Sequence, residues 1–168
     1  MKQTNVADAL YRVKRGLVGY VSYLAACEMN QSFSEYILYE PVLRILTARG
    51  FEVSCEVPCP GFVKTGKGDF KKLDFVATSA GATFAIEVKW ARRRYINVDR
   101  DIEKLQAYAA SANGARAFLC VFGKQSVVAN LRHSGPALQE QGNQVVANFG
   151  VTRYCCRIYR VTATKDVA

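Results

Sequence analysis

The sequence has no long hydrophobic run. No stretch reaches the roughly 18 unbroken apolar residues that a membrane-spanning helix needs. The nearest, GLVGYVSYLAAC at residues 16–27, falls short of it. It follows Lys14 and Arg15, which raises the reading of a secretory signal. Helical spacing begins well before it, however, and no small-x-small cleavage site follows. The segment is therefore expected to be a buried or interfacial helix, and no membrane partner is expected. Histidine is almost missing: His133 is the single one. Cys55 and Cys59 have near-ligand spacing, but a zinc site would need further paired ligands. The six cysteines, at 27, 55, 59, 120, 155 and 156, lie mostly in apolar runs such as AFLCVFG. They read as buried free thiols of a reducing cytoplasm rather than as three disulfides. Repeats, low-complexity tracts and linkers are also missing, so residues 1–168 are expected to form one domain.

Acidic residues are outnumbered, with 14 Asp and Glu against 23 Lys and Arg, giving a net charge of +9. Such an excess favours polyanionic partners, nucleic acid ahead of an anionic membrane. The apolar half of the chain and its 22% charged residues are ordinary globular composition.

The first half reads as helical. Val6, Leu10, Val13, Leu17, Val21 and Leu24 recur at helical spacing over residues 5–28. A second helix is expected from Ser32 or Ser34 to Arg49, with a kink or restart near Tyr39–Pro41 and Gly50 closing it. From there the period changes. FEVSCEV (51–57) alternates as a strand, and GFVKTGKGDFK (61–71) reads as an exposed loop. LDFVAT (73–78) and TFAIEVKW (83–90) read as a hairpin turning through Ser79-Ala80-Gly81-Ala82. A helix is expected over Asp99–Ala112, then a central apolar strand, ARAFLCVF, over 115–122. A short helix near 126–131, a polar loop and a last strand over 154–161 complete the expectation. The order helix, three strands, helix, strand is an α/β arrangement, a mixed sheet flanked by helices.

Chemistry concentrates on the hairpin. If its turn centres on Ala80-Gly81, Asp74 opposes Glu87, and Lys89 shares their face. Leu73, Phe75, Phe84, Ile86, Val88 and Trp90 then form a core face. Two adjacent carboxylates repel, and a hard cation with oxygen ligands relieves that repulsion. Mg²⁺ held by Asp74 and Glu87 would polarise a phosphodiester and activate water, with Lys89 orienting the water or stabilising charge on phosphorus. The plain alternative is a cross-strand ion-pair set on a solvated face.

Asp74, followed after twelve residues by Glu87-Val88-Lys89, in this order of elements, resembles the PD-(D/E)xK nuclease superfamily. The resemblance covers about Ser34 to Gly123 and departs in one place, where Leu73 stands in the position of the motif's proline. It implies an αβββαβ restriction-endonuclease-like core, with an extra N-terminal helix (5–28) and a C-terminal extension (124–168). The implied activity is Mg²⁺- or Mn²⁺-dependent endonucleolytic cleavage, of DNA more often than RNA. It implies metal at Asp74, Glu87 and Val88, and a further glutamate from the first core helix. Glu35 shares a stripe with Leu38, Val42 and Ile45 and is preferred to Glu40. Gln106 matches a supporting glutamine of some members, or is an exposed helix residue.

Lys64, Lys67, Lys71 and Lys72 before the site, and Arg92, Arg93 and Arg94 after it, are candidate phosphate contacts or a solvated face. Phe70 and Tyr95 are candidates for base stacking or for packing. Two further hypotheses stand beside the nuclease. One is a non-catalytic nucleic-acid-binding module of the same fold. The other is a subunit whose apolar N-terminal helix packs on a protein partner, a second copy or a membrane.

Overall fold

A computed structural model describes residues 5–29, 34–62, 71–92, 95–111, 115–135 and 138–162. Helix α1 (Val6–Ala26) opens at Asn5, whose Oδ1 accepts the Ala7 and Asp8 N–H groups at 2.9 and 3.3 Å. That cap satisfies two of the four amide donors that a helix start leaves over. Val6, Leu10, Val13, Leu17, Val21 and Leu24 are all buried, the stripe expected from their spacing. No described helix is long and apolar enough to cross a membrane. The second helical stretch breaks where Pro41 suggested: a 3₁₀ turn at Glu35–Leu38 is followed by α2 (Tyr39–Ala48). Pro41 lies in the first turn of α2, where its missing N–H costs no intrahelical bond. Gly50 then turns the chain at φ +84, a conformation that favours glycine.

The strands that follow are β1 (Glu52–Pro58), β2 (Lys72–Ser79), β3 (Ala82–Ala91) and the two-residue β4 (Ile96–Asn97). After α3 (Asp99–Ser111) come β5 (Arg116–Lys124), α4 (Gln125–Val128), β6 (Leu131–Arg132) and β7 (Gln139–Glu140). The chain closes with β8 (Val145–Phe149) and β9 (Thr152–Val161).

The main sheet runs β1-β2-β3-β5-β9-β7, with β8 also on β9, and β4 pairs β6 apart from it. Within the main sheet β3 and β5 are parallel and the other pairs antiparallel. A parallel pair needs a crossover, and α3 supplies it. The chain is thus a mixed, mostly antiparallel sheet with helices packed on it. β9 lies directly against β5 along its length, so the region after Gly123 completes the sheet instead of trailing from it. The expected polar loop before β9 contains β7 and β8. Two residues such as Gln139–Glu140 are too few to show any period, which is why that strand was not legible.

Both faces of the sheet are buried. One core joins Phe75, Phe84, Ile86, Val88, Trp90, Phe118 and Phe122 to α1 and α2. The other joins Ala85, Leu119, Val121 and Tyr159 to Ile102, Leu105 and Tyr108 of α3. Leu73 departs from expectation. It belongs with Cys59 in the second core, not with Phe75, and an irregular step at Asp74 lies between the two positions. Cys59, Cys120, Cys155 and Cys156 are buried as expected, while Cys27 and Cys55 are exposed. Cys27 follows the end of α1, and Cys55 sits on the edge strand β1, so neither position is covered.

Gly123 of β5 faces Ala91 at the end of β3. A Cβ on Gly123 would lie 2.5 Å from both the carbonyl oxygen and the Cβ of Ala91. Gly123→Ala is therefore expected to force the strands apart beside the site and to destabilise by roughly 1–3 kcal/mol, read by urea unfolding.

Candidate active site

The hairpin register is Ser79↔Ala82 through Phe75↔Ile86, which makes Asp74 and Glu87 the next opposed pair. At that step side chains take over from the backbone ladder. The Asp74 N–H donates to Glu87 Oε1 at 3.1 Å, and the Val88 N–H donates to Asp74 Oδ2 at 2.7 Å. On the other side of β2, pairing with β1 skips Asp74 and Glu56, and Glu56 has φ +54. Asp74 thus sits where β2 is released by both neighbours, and carboxylates satisfy amides that would otherwise be buried alone.

The helical stretch before β1 closes one side. Tyr39 Oη donates to Asp74 Oδ1 at 2.5 Å, and its ring packs on Phe75 with centroids 5.0 Å apart. Glu35 Oε2 accepts the Trp90 N–H at 2.9 Å, which brings this carboxylate to the end of β3. Glu40 is exposed and pairs with Arg44. α3 closes the opposite side. Lys104 Nζ donates to Glu87 Oε2 at 2.5 Å and to the Lys72 carbonyl oxygen at 3.0 Å. Asp101 lies between two ammonium groups, 3.4 Å from Lys89 Nζ and 3.7 Å from Lys104 Nζ.

Burial dominates the electrostatics. Glu87 is 2% exposed. Its pKa is pushed up to about 8, first by desolvation and then by the Asp74 charge, with Lys104 opposing. Desolvation also raises Asp74, against the hydrogen bonds from Tyr39 and Val88. Burial raises the Tyr39 phenol strongly, and its bond to Asp74 adds to this, so it stays a proton donor. For Lys104 desolvation pulls downward, but Glu87 and Asp101 outweigh it and the pKa is raised. Lys89 behaves alike: desolvation is overcome by Asp101 and Glu35. Both lysines are therefore ammonium ions.

Water-poor, mutually repelling carboxylates are the setting that a hard dication relieves. Among the described residues, no set of three His, Cys, Asp or Glu side chains is arranged around a common metal position. Asp74 and Glu87 offer two carboxylates, and Mg²⁺ is commonly bound through one or two while keeping several waters, so the donor set fits. Val88 points its side chain into the core and meets the site only through its backbone.

Asp74, Glu87, Lys89 and Glu35 thus come together at one end of β2 and β3. Gln106 is half-buried and stands about 200° round α3 from Lys104, away from the arc that meets Glu87. Lys71 pairs with Glu103 at 2.9 Å and Lys72 with Glu56 at 3.7 Å. Both line a cleft of about 500 Å³ together with Glu56, Asp74, Arg100, Asp101 and Lys104. Arg92 lies over the Trp90 ring at 5.5 Å, and Arg132 over the exposed Tyr95 ring at 4.0 Å. Lys64, Lys67, Phe70, Arg93 and Arg94 lie outside the described residues. Sequence reasoning missed Tyr39, Asp101 and Lys104. The last two are three apart on α3 and flank its apolar stripe of Ile102, Leu105 and Tyr108, a pattern that was available. Compared with family models, curated proteins and solved structures, the chain matches none.

Proposed function

We propose that the protein is a Mg²⁺- or Mn²⁺-dependent nuclease with a PD-(D/E)xK-type core, cutting internal phosphodiester bonds, with DNA the favoured substrate. The observation that carries this reading is the meeting of Asp74, Glu87 and Lys89 where β2 and β3 part, beside a cleft that Lys71, Lys72, Arg100 and Lys104 line together with Glu56, Asp74 and Asp101. Leaving aside the two-residue β4, which lies outside the main sheet, the order α2, β1, β2, β3, α3, β5 supports it, because it follows the αβββαβ order of that core.

In this reading Asp74 and Glu87 would hold the metal, with the Val88 backbone and Glu35 beside it. A bound divalent ion would polarise the phosphodiester and lower the pKa of its water. Tyr39 fixes the rotamer of Asp74, and Asp101 holds the Lys89 ammonium. Because Lys89 is charged, it serves as an electrostatic partner for the developing phosphorane charge and not as a base. Lys71, Lys72 and Arg100 would take flanking phosphates, while bases would pass over Tyr95 and Arg132.

The test is incubation of purified protein with plasmid, linear duplex, single-stranded DNA and RNA, each with Mg²⁺, Mn²⁺ or EDTA. Cutting of DNA with metal and none with EDTA is the expected result. The internal neutralisation of Glu87 by Lys104 favours one second reading, a binding module of the same fold. Tight nucleic-acid binding with no cutting under any of these conditions would point to it.

A further inference from the structure

We propose that Lys104 is an internal counter-ion that fills the acidic pocket of the free protein, and that nucleic-acid phosphate draws it out, so that metal and substrate bind cooperatively. The inference rests on the nuclease reading above and adds an order of events to it.

The geometry places one ammonium among three carboxylates. Lys104 Nζ is 2.5 Å from Glu87 Oε2 and 3.7 Å from an oxygen of Asp101. The Asp74 charge also acts on it. Its side chain is only 14% exposed, and the Lys72 carbonyl accepts a further bond at 3.0 Å. A dication ligated by Glu87 would stand beside that ammonium, and the two positive charges would repel at close range in a poorly screened site. Metal entry therefore favours departure of Lys104.

The cleft offers a destination. Lys104 lines it with Lys71, Lys72 and Arg100, and a flexible four-carbon stem lets its head group reach a phosphate there. Asp101 does not lose its partner when Lys104 leaves, because Lys89 remains 3.4 Å away. The departure would open the Glu87 oxygen and add a cation to the substrate track in one movement. Two ligands that both favour the lysine-out state must tighten each other's binding by the same factor.

Mn²⁺ binding, read by the electron paramagnetic resonance of free Mn²⁺, separates the possibilities. The proteins compared are wild type, Lys104→Met and Asp74→Ala, each with and without a short phosphorothioate DNA duplex. Wild type is expected to bind Mn²⁺ about tenfold or more tightly with duplex present, and Mn²⁺ is expected to tighten duplex binding by the same factor. Lys104→Met should bind Mn²⁺ tightly without duplex and gain little from it. It should also show the larger rise in Tm on adding Mn²⁺, since its carboxylates have lost their internal cation. The wild-type comparison stands even where Lys104→Met folds poorly. Equal Mn²⁺ affinity in wild type with and without duplex, with binding lost in Asp74→Ala, would overturn the counter-ion role and leave the metal centre intact. No Mn²⁺ binding by wild type in either state would overturn both.

Discussion

Lys89→Ala is expected to slow cleavage by about a hundredfold to a thousandfold while leaving folding and nucleic-acid affinity nearly unchanged. The expectation follows from where the ammonium is and what it touches. Its side chain is 31% exposed and pairs with Asp101 at 3.4 Å, so removing it leaves no large cavity and only a partly screened carboxylate. Exposed or half-exposed pairs of this kind contribute about 0–1 kcal/mol to stability. The same charge, a strand step from Glu87, would meet the charge that develops on phosphorus, where preorganised electrostatics have their largest effect. Single-turnover cleavage measured beside duplex binding separates the two: kcat should fall and binding should hold. A variant that cuts at the wild-type rate would show that Lys89 has no part in the chemistry.

Lys14→Ala is expected to have the largest effect on stability, roughly 3–5 kcal/mol, or on the order of 10 °C in Tm. Lys14 is 1% exposed, and its Nζ donates to the carbonyl oxygens of Gln141 and Asn143 at 2.6 and 2.7 Å. These bonds tie α1 to the turn between β7 and β8, which Gly142 makes at φ +64. Truncation would remove the buried stem, leave two carbonyls without their charged donor and open a void beneath the turn. The site on β2 and β3 is separated from this turn by β5 and β9, so residual folded protein would keep its specific activity. Thermal and urea unfolding measure the loss, and a midpoint equal to wild type would contradict this role for Lys14.

The contrast between these two lysines shows what was legible. Lys89 could be placed because a hairpin has a period of two and its turn sets the register, so a short alternating segment assigns each side chain a face. The sum that opposes Asp74 to Glu87 follows from Ser79-Ala80-Gly81-Ala82 alone. Helix α3 and strand β5 were readable for related reasons: acids in a first turn, and a continuous apolar run buried on both faces. Lys14 sits in a segment, VKRG, that looks like an ordinary basic surface. Its burial depends on β7 and β8, more than a hundred residues away, and on carbonyl groups whose positions no local pattern encodes.

The site was legible to the same depth. Its two-strand centre follows from local register, and Glu35 follows from a helical stripe. Tyr39, Asp101 and Lys104 enter because two separate helices close over the hairpin, a tertiary fact. Gln106 shows the limit of motif spacing, since rotation round α3 decides which residue faces Glu87, and that residue is Lys104. The step at Asp74 was likewise hidden. A strand released by both neighbours is a feature of pairing, and only the positive φ of Glu56 across the gap marks it.

The most direct measurement compares wild type with Asp74→Ala on one plasmid substrate in Mn²⁺, following cleavage and Mn²⁺ binding in the same preparations. Metal-dependent cutting by wild type, with both cutting and Mn²⁺ binding lost in the variant, is the predicted result. Cutting that survives Asp74→Ala would contradict the account, because no nuclease centre built on Asp74 and Glu87 could tolerate that change.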